Sequence, residues 1–184
     1  MSSLTPLGIA ILGLLLERPM HPYEMFQTFI ARSEDRIVKV RPGSLYHTVE
    51  RLERDGLIRS TGTEREGNRP ERTSYEITDA GHDRMLERIT EMLADWKYEY
   101  PEFPLAIAEA HNLPSDTVIR LLQKRVLALR AQLELVGRAV DQVEGKNLER
   151  KYWLEASYLR ALLEAETAWV EGLITELKNG TIDW

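Results

Sequence analysis

Pro42-Gly43-Ser44-Leu45-Tyr46-His47-Thr48-Val49-Glu50-Arg51-Leu52-Glu53-Arg54-Asp55-Gly56 reads as one helix with two unlike faces. Proline suits its first turn, where no N–H is needed, and Gly56 can close it as a left-handed cap. Leu45, Val49 and Leu52 fall on one stripe. At about 100° per residue, that stripe turns Gly43, Ser44, His47, Glu50, Arg51 and Arg54 to the opposite side. Arg51 there has the fork to grip a guanine, His47 and Ser44 can donate or accept at base edges, and Gly43 lets the backbone approach a phosphate at the positive helix end. The same charged set would also suit a solvated surface, so the neighbouring elements have to decide.

Upstream, Thr5 to Glu17 is almost continuously apolar and stops before Pro19, as a helix buried on most sides would. A second helix should open at Pro22, with Tyr23, Phe26, Phe29 and Ile30 as its apolar face and its end near Ser33. The β-branched run Arg36-Ile37-Val38-Lys39-Val40 predicts a brief strand. Downstream, Leu57 to Thr61 and Arg72 to Ile77 flank a polar, turn-rich segment and form a β-hairpin with a long tip. Thr78 or Asp79 should cap a fourth helix running to about Tyr98, with Met85, Ile89, Met92 and Trp96 on its broad apolar face. Helix, helix, short strand, helix and hairpin is the order of a winged helix-turn-helix, whose third helix enters the major groove and whose hairpin tip reaches the flanking backbone. Arg65, Arg69 and Arg72 sit at that tip, interleaved with Glu64, Glu66 and Glu71, and suit either a minor groove or bulk water.

Prolines 101, 104 and 114 interrupt the pattern and leave room for only a short helix around Leu105 to Ala110. The domain boundary is placed here, giving residues 1–99 and 100–184. Beyond it, Ile119, Leu122, Val126, Leu129, Leu133, Val136, Val140 and Val143 keep alternating three- and four-residue steps, the register of a coiled coil. Gly145 ends that helix. Another, Leu148 to Lys178, carries Tyr152, Ala156, Leu159, Leu163, Val170, Leu173 and Leu177, so two long antiparallel helices are expected. Glu166 falls among these apolar positions and must either find a partner or rotate into solvent. The expected fold is therefore mainly α with a small β-hairpin wing: an N-terminal winged helix-turn-helix and a C-terminal antiparallel long-helix domain.

The chain has 184 residues, 43% hydrophobic and 29% charged, enough to bury a core in one ordinary domain or two small ones. Its lack of cysteine rules out disulfides, thiolate metal sites and cysteine nucleophiles. No HExxH, phosphate-cradling glycine loop or GxSxG occurs, and His21, His47, His82 and His111 are scattered, so neither an enzyme, a metal site nor a cofactor is expected. The apolar stretch from Leu4 to Leu16, 13 residues that include Pro6, Gly8 and Gly13, is too short to span a membrane and lacks the flanks of a secretory signal, which makes the cytoplasm the expected location. The net charge of −6 argues against a nucleic-acid partner until its distribution is seen. Nine basic residues against six acidic ones lie between Arg36 and Arg72, a local excess of positive charge on an otherwise acidic chain.

The stretch Pro42 to Ile58 resembles the recognition-helix signature of the PadR family of bacterial transcriptional regulators. Met20-His21-Pro22-Tyr23-Glu24-Met25 resembles the family's second-helix motif, and Tyr75-Glu76-Ile77-Thr78-Asp79-Ala80-Gly81 its wing closure, so the likeness covers about Leu4 to Leu93. Glu164-Ala165-Glu166-Thr167-Ala168-Trp169-Val170 is similar to the added C-terminal helices of the longer subfamily. Two departures stand out: Pro22 where glycine is common, and Arg41 where a Ser or Thr cap is common.

The resemblance implies a homodimeric repressor that binds an inverted-repeat operator in double-stranded DNA and answers to a small hydrophobic or aromatic effector. Its implied DNA-binding residues are Gly43, Ser44, Tyr46, His47, Thr48, Arg51 and Arg54 on the helix, His21, Tyr23 and Arg41 before it, and Arg65, Arg69 and Arg72 on the wing. His21, Tyr23 and Tyr46 would position phosphates, or be partly buried. Trp96, Tyr100, Trp153 and Trp169 are the candidate effector pocket, or core filling. A winged-helix module used only for protein association is the alternative of a different kind.

Overall fold

The structure is a computed structural model and describes residues 4–64, 72–146 and 148–184. It divides into two compact units, Met1–Tyr98 and Glu99–Trp184.

The first unit is built around α1 (Pro6–Glu17), in which Ile11 and Leu12 have no solvent exposure. Thr5 caps it, its Oγ1 accepting the Gly8 N–H at 3.2 Å. Helix α2 (Pro22–Ala31) buries Met25 and Phe29, with Phe26 partly covered. Tyr23 and Ile30 stay about half exposed, so the predicted Tyr23–Phe26–Phe29–Ile30 face is rotated toward Met25. Helix α3 (Pro42–Arg54) buries Leu45, Val49 and Leu52, the expected stripe, and ends at Gly56 with φ +74°. Each fully buried Phe29, Ile11 or Leu45 side chain stabilises this core by about 1.5–3 kcal/mol relative to exposure.

The strand expected over Arg36–Val40 is absent. Glu34–Arg36 forms a single 3-10 turn, and Val38 and Val40 merely pack against the core. The hairpin consists of β1 (Ile58–Glu64) and β2 (Arg72–Ile77), antiparallel with a bulge between Ser60 and Gly62. Its third partner is Met20, which exchanges backbone hydrogen bonds with Tyr75 at 2.9 and 3.0 Å. Met20 thus extends the ladder by a single bridge to β2.

Helix α4 (Asp79–Ala94) is joined to the hairpin through a tight polar knot. Thr78 donates its N–H to Leu57 O and its hydroxyl to Gly56 O, while its Oγ1 accepts the Gly81 N–H. Gly81 packs so close that a Cβ built on it lies 2.0 Å from Leu57 O. The helix stops at Ala94, four residues short of the expected end, and Asp95 is extended. Trp96 therefore lies outside the helix and is 84% exposed, not part of an apolar face.

In the second unit, α5 (Glu102–Ala108) precedes two antiparallel helices, α6 (Ser115–Gly145) and α7 (Leu154–Lys178). The heptad residues Leu122, Val126, Leu129, Val136 and Val140 are buried on α6. Val118, Leu122 and Val126 pack against Val170, Ile174 and Leu177. On α7 the seam runs through Thr167, Val170, Ile174 and Leu177, so Ile174 replaces the expected Leu173. A seam written at 3.5 residues per turn drifts across a helix that turns every 3.6. Thr167 tolerates burial because its hydroxyl donates to Leu163 O at 2.7 Å. The segment from Leu148 to Trp153, expected as helix, holds a short 3-10 turn instead, with Tyr152 exposed. No helix among the described residues is long and apolar enough to cross a membrane.

Candidate nucleic-acid interface

Burial of Leu45, Val49 and Leu52 leaves one side of α3 facing solvent, and Gly43, Ser44, Tyr46, His47, Glu50, Glu53 and Arg54 are exposed there. Gly43 has open space around its Cα, so a backbone partner can approach the helix start closely. Arg41 stands at the N-cap without a capping side chain, and Ser44 compensates. Ser44 Oγ accepts the Arg41 N–H at 3.3 Å and donates to Arg41 O at 2.9 Å. The free first turn is thereby ordered while Arg41 remains exposed, as do Arg36 and Lys39 ahead of it in the chain. Arg41 stands at the positive end of the helix, where a phosphate is stabilised by both charge and backbone N–H groups.

Two residues of the expected contact set are placed differently. Thr48 is 8% exposed and donates its hydroxyl to Ser44 O at 2.7 Å, so it faces the core and not a groove. Arg51 is half-buried and reaches sideways: its Nη2 donates to Thr5 Oγ1 at 2.9 Å. That bond ties α3 to the N-cap of α1, and Thr5 Oγ1 serves both helices at once. A wheel drawn from α3 alone counts Arg51 as outward, because the acceptor that captures it lies 46 positions earlier in the chain. The residue pair Thr5–Arg51 is the feature that reading by element missed.

Ahead of α3, His21 Nδ1 accepts the Glu24 N–H at 3.0 Å and caps α2. An imidazole accepting at Nδ1 carries its proton at Nε2 when neutral. The His21 ring stacks on Tyr23 with centroids 6.2 Å apart, and Tyr23 OH accepts from Gln27 Nε2. On the hairpin, Arg59 and Glu76 face each other across the strands and pair at 2.6 Å. The Tyr75 hydroxyl is pushed up from its ordinary range, first by burial and then by the Glu53 carboxylate that it hydrogen-bonds. Glu53 is thereby drawn toward the wing base. Arg65 and Arg69 lie outside the described residues, as does the side chain of Arg72.

The four aromatic residues proposed for an effector pocket do not share one. In the first unit Trp96 meets Tyr98 edge to face. In the second, Tyr100 is exposed with φ 50°, and Trp153 lines a cleft with Val140, Arg150 and Arg160. Trp169 lines another cleft, of about 500 Å³, with Pro101, Phe103, Pro104, Ile107, Arg125 and Glu166. Its ring meets Phe103 edge to face at 6.3 Å. The Arg125 guanidinium lies 3.5 Å from the Phe103 ring centre, and its Nε donates to Glu166 Oε1 at 2.7 Å. Glu166 has thus found a partner while remaining partly exposed, which settles its place among the apolar residues. Phe103, carried on α5, is the ring that meets the Arg125 guanidinium. No cluster able to hold a metal ion occurs among the described residues.

A buried three-helix core, a two-stranded wing and an exposed third helix define a winged helix-turn-helix. Residues 11–87 match the "Transcriptional regulator PadR-like family", a likeness that covers the winged helix-turn-helix. Solved structures extend the likeness over the whole fold. Bacillus subtilis PadR in complex with operator DNA is 17% identical, with 92% of this chain and 97% of that one covered and a TM-score of 0.78. The same protein in complex with p-coumaric acid is 16% identical over 92% and 97%, at 0.72. The PadR-like transcriptional regulator BC1756 from Bacillus cereus is 17% identical over 96% and 99%, at 0.67. No curated protein sequence matches the chain.

Proposed function

We propose that the protein is a homodimeric repressor that binds an inverted-repeat operator and is released by a small hydrophobic or aromatic effector. The observation that carries this reading is the solvent-facing side of α3, which begins at Arg41 and an open Gly43 and is mounted on a PadR-like winged helix. Residues 1–99 act as the DNA-binding domain. Arg41, Gly43, Ser44, Tyr46, His47 and Arg54 face the duplex, with His21 and Tyr23 beside the phosphates. Residues 100–184 act as the dimerisation domain.

An exposed apolar stripe on α7 supports dimerisation: Leu154, Tyr158, Leu162 and Trp169 are all at least half exposed and recur at helical spacing. Such a stripe beside an already buried seam fits a second helix from another copy. The Phe103–Trp169 cleft supports effector binding, since its volume and aromatic walls suit a planar molecule and the Arg125–Glu166 pair offers polar orientation.

Fluorescence anisotropy with DNA from the protein's own upstream region tests the reading. Sequence-selective binding that weakens steeply with salt is expected, and p-coumaric acid is the first effector probe to add. Absence of any sequence preference at low salt would refute it.

A further inference from the structure

We infer that Glu50, set beside His47, is the residue of α3 that selects a base, and that it demands a cytosine in each half-site. The inference rests on the DNA-binding reading above. Gly43, His47, Glu50 and Arg54 are spaced 4, 3 and 4 residues apart and occupy a sector about 60° wide, the centre of the helix's exposed side. Gly43 has no side chain. Arg54 is in the last turn, 3.4 Å from Asp55. On either flank, the Ser44 hydroxyl already donates to Arg41 O, Thr48 is buried, and Arg51 is bound to Thr5. The middle of the stripe therefore presents two functional side chains, His47 and Glu50, which are 83% and 71% exposed.

A carboxylate on a surface that enters a groove between two phosphate rows is repelled unless it meets a donor. Cytosine N4 supplies one in the major groove and has no acceptor on its own base to oppose a carboxylate, whereas adenine sets N7 beside its amino group. Glu50 Oε2 faces His47 Nδ1 at 3.5 Å, which leaves Oε1 to accept from the cytosine amino group. Arg51 supplies no base contact in this arrangement, because its guanidinium is held against α1.

Selection from a randomised duplex library with the full-length protein tests this. The wild type should enrich half-sites with a cytosine at one position, and changing that pair to T·A should weaken binding about tenfold. Glu50→Ala, an exposed substitution, should bind both duplexes nearly equally. Glu50→Gln should move the preference to adenine, which a carboxamide matches at both N6 and N7. Arg51→Ala should weaken all duplexes alike and leave the selected sequence unchanged. If Glu50→Ala selects the same sequence with the same discrimination, or if Arg51→Ala erases the preference at a single base, the inference is overturned. A wild type that enriches no sequence overturns both the inference and the operator-binding reading, which separates the two failures.

Discussion

Replacing Gly81 with alanine is the sharpest test of how the wing is joined to α4. An alanine Cβ would lie 2.0 Å from Leu57 O and 2.9 Å from Leu57 C, both backbone atoms, so neither can rotate away. Relief requires moving α4 from β1 by more than about 1 Å, since an ordinary contact needs about 3.5 Å between carbon centres and little less to oxygen. Such a shift strains the Thr78 N–H bond to Leu57 O, at 3.1 Å, and the Thr78 cap on Gly81. Overpacking costs about 1–3 kcal/mol and a damaged cap about 1 more, against which alanine returns about 1 in helix propensity. The net loss is about 1–3 kcal/mol. In a unit of this size that lowers the melting temperature by roughly 4 °C for each kcal/mol at least. Gly137→Ala is the internal control, because its Cβ meets nothing within 4 Å inside α6 and should add up to about 1 kcal/mol. Thermal unfolding followed by circular dichroism reads both variants. If Gly81→Ala melts with Gly137→Ala, at or above the wild type, the close approach of α4 to Leu57 is wrong.

Three further outcomes are expected. Thr5→Val should lose about 1 kcal/mol from the α1 cap and release Arg51, while Thr5→Ser should retain both, as urea titration of the two variants would report. Because the folded state raises the Tyr75 pKa, its contribution is complete below the ordinary tyrosine value near 10 and is lost as pH rises through the folded value. Ultraviolet titration should show one tyrosine ionising late, and Tyr75→Phe should remove both that phase and the alkaline loss of stability. Changing Tyr158 and Leu162 together to Glu should convert a species of twice 21.3 kDa into a monomer by sedimentation, with the helical signal kept.

Local chemistry was readable wherever a residue's partner lay within a turn or two. Pro42 and Gly56 bracketed α3, the Leu45–Val49–Leu52 stripe gave its buried face, and the heptads of α6 announced the C-terminal seam. Reading failed where the partner was distant. Val38 and Val40 have strand-forming side chains, but the bridge to β2 is made by Met20. Trp96 continues the spacing of α4, yet the helix ends before it.

Periodicity and capping depend on neighbours three or four residues away, and for that reason the amino-acid order alone determined the helices, the wing and the side of α3 that turns outward. Which outward residue stays available was a tertiary decision. Arg51 is drawn to Thr5, Glu53 to Tyr75 and Arg125 to both Phe103 and Glu166, each across more than 20 positions. Long charged side chains choose among all acceptors within reach in three dimensions, and a linear pattern holds no record of those distances.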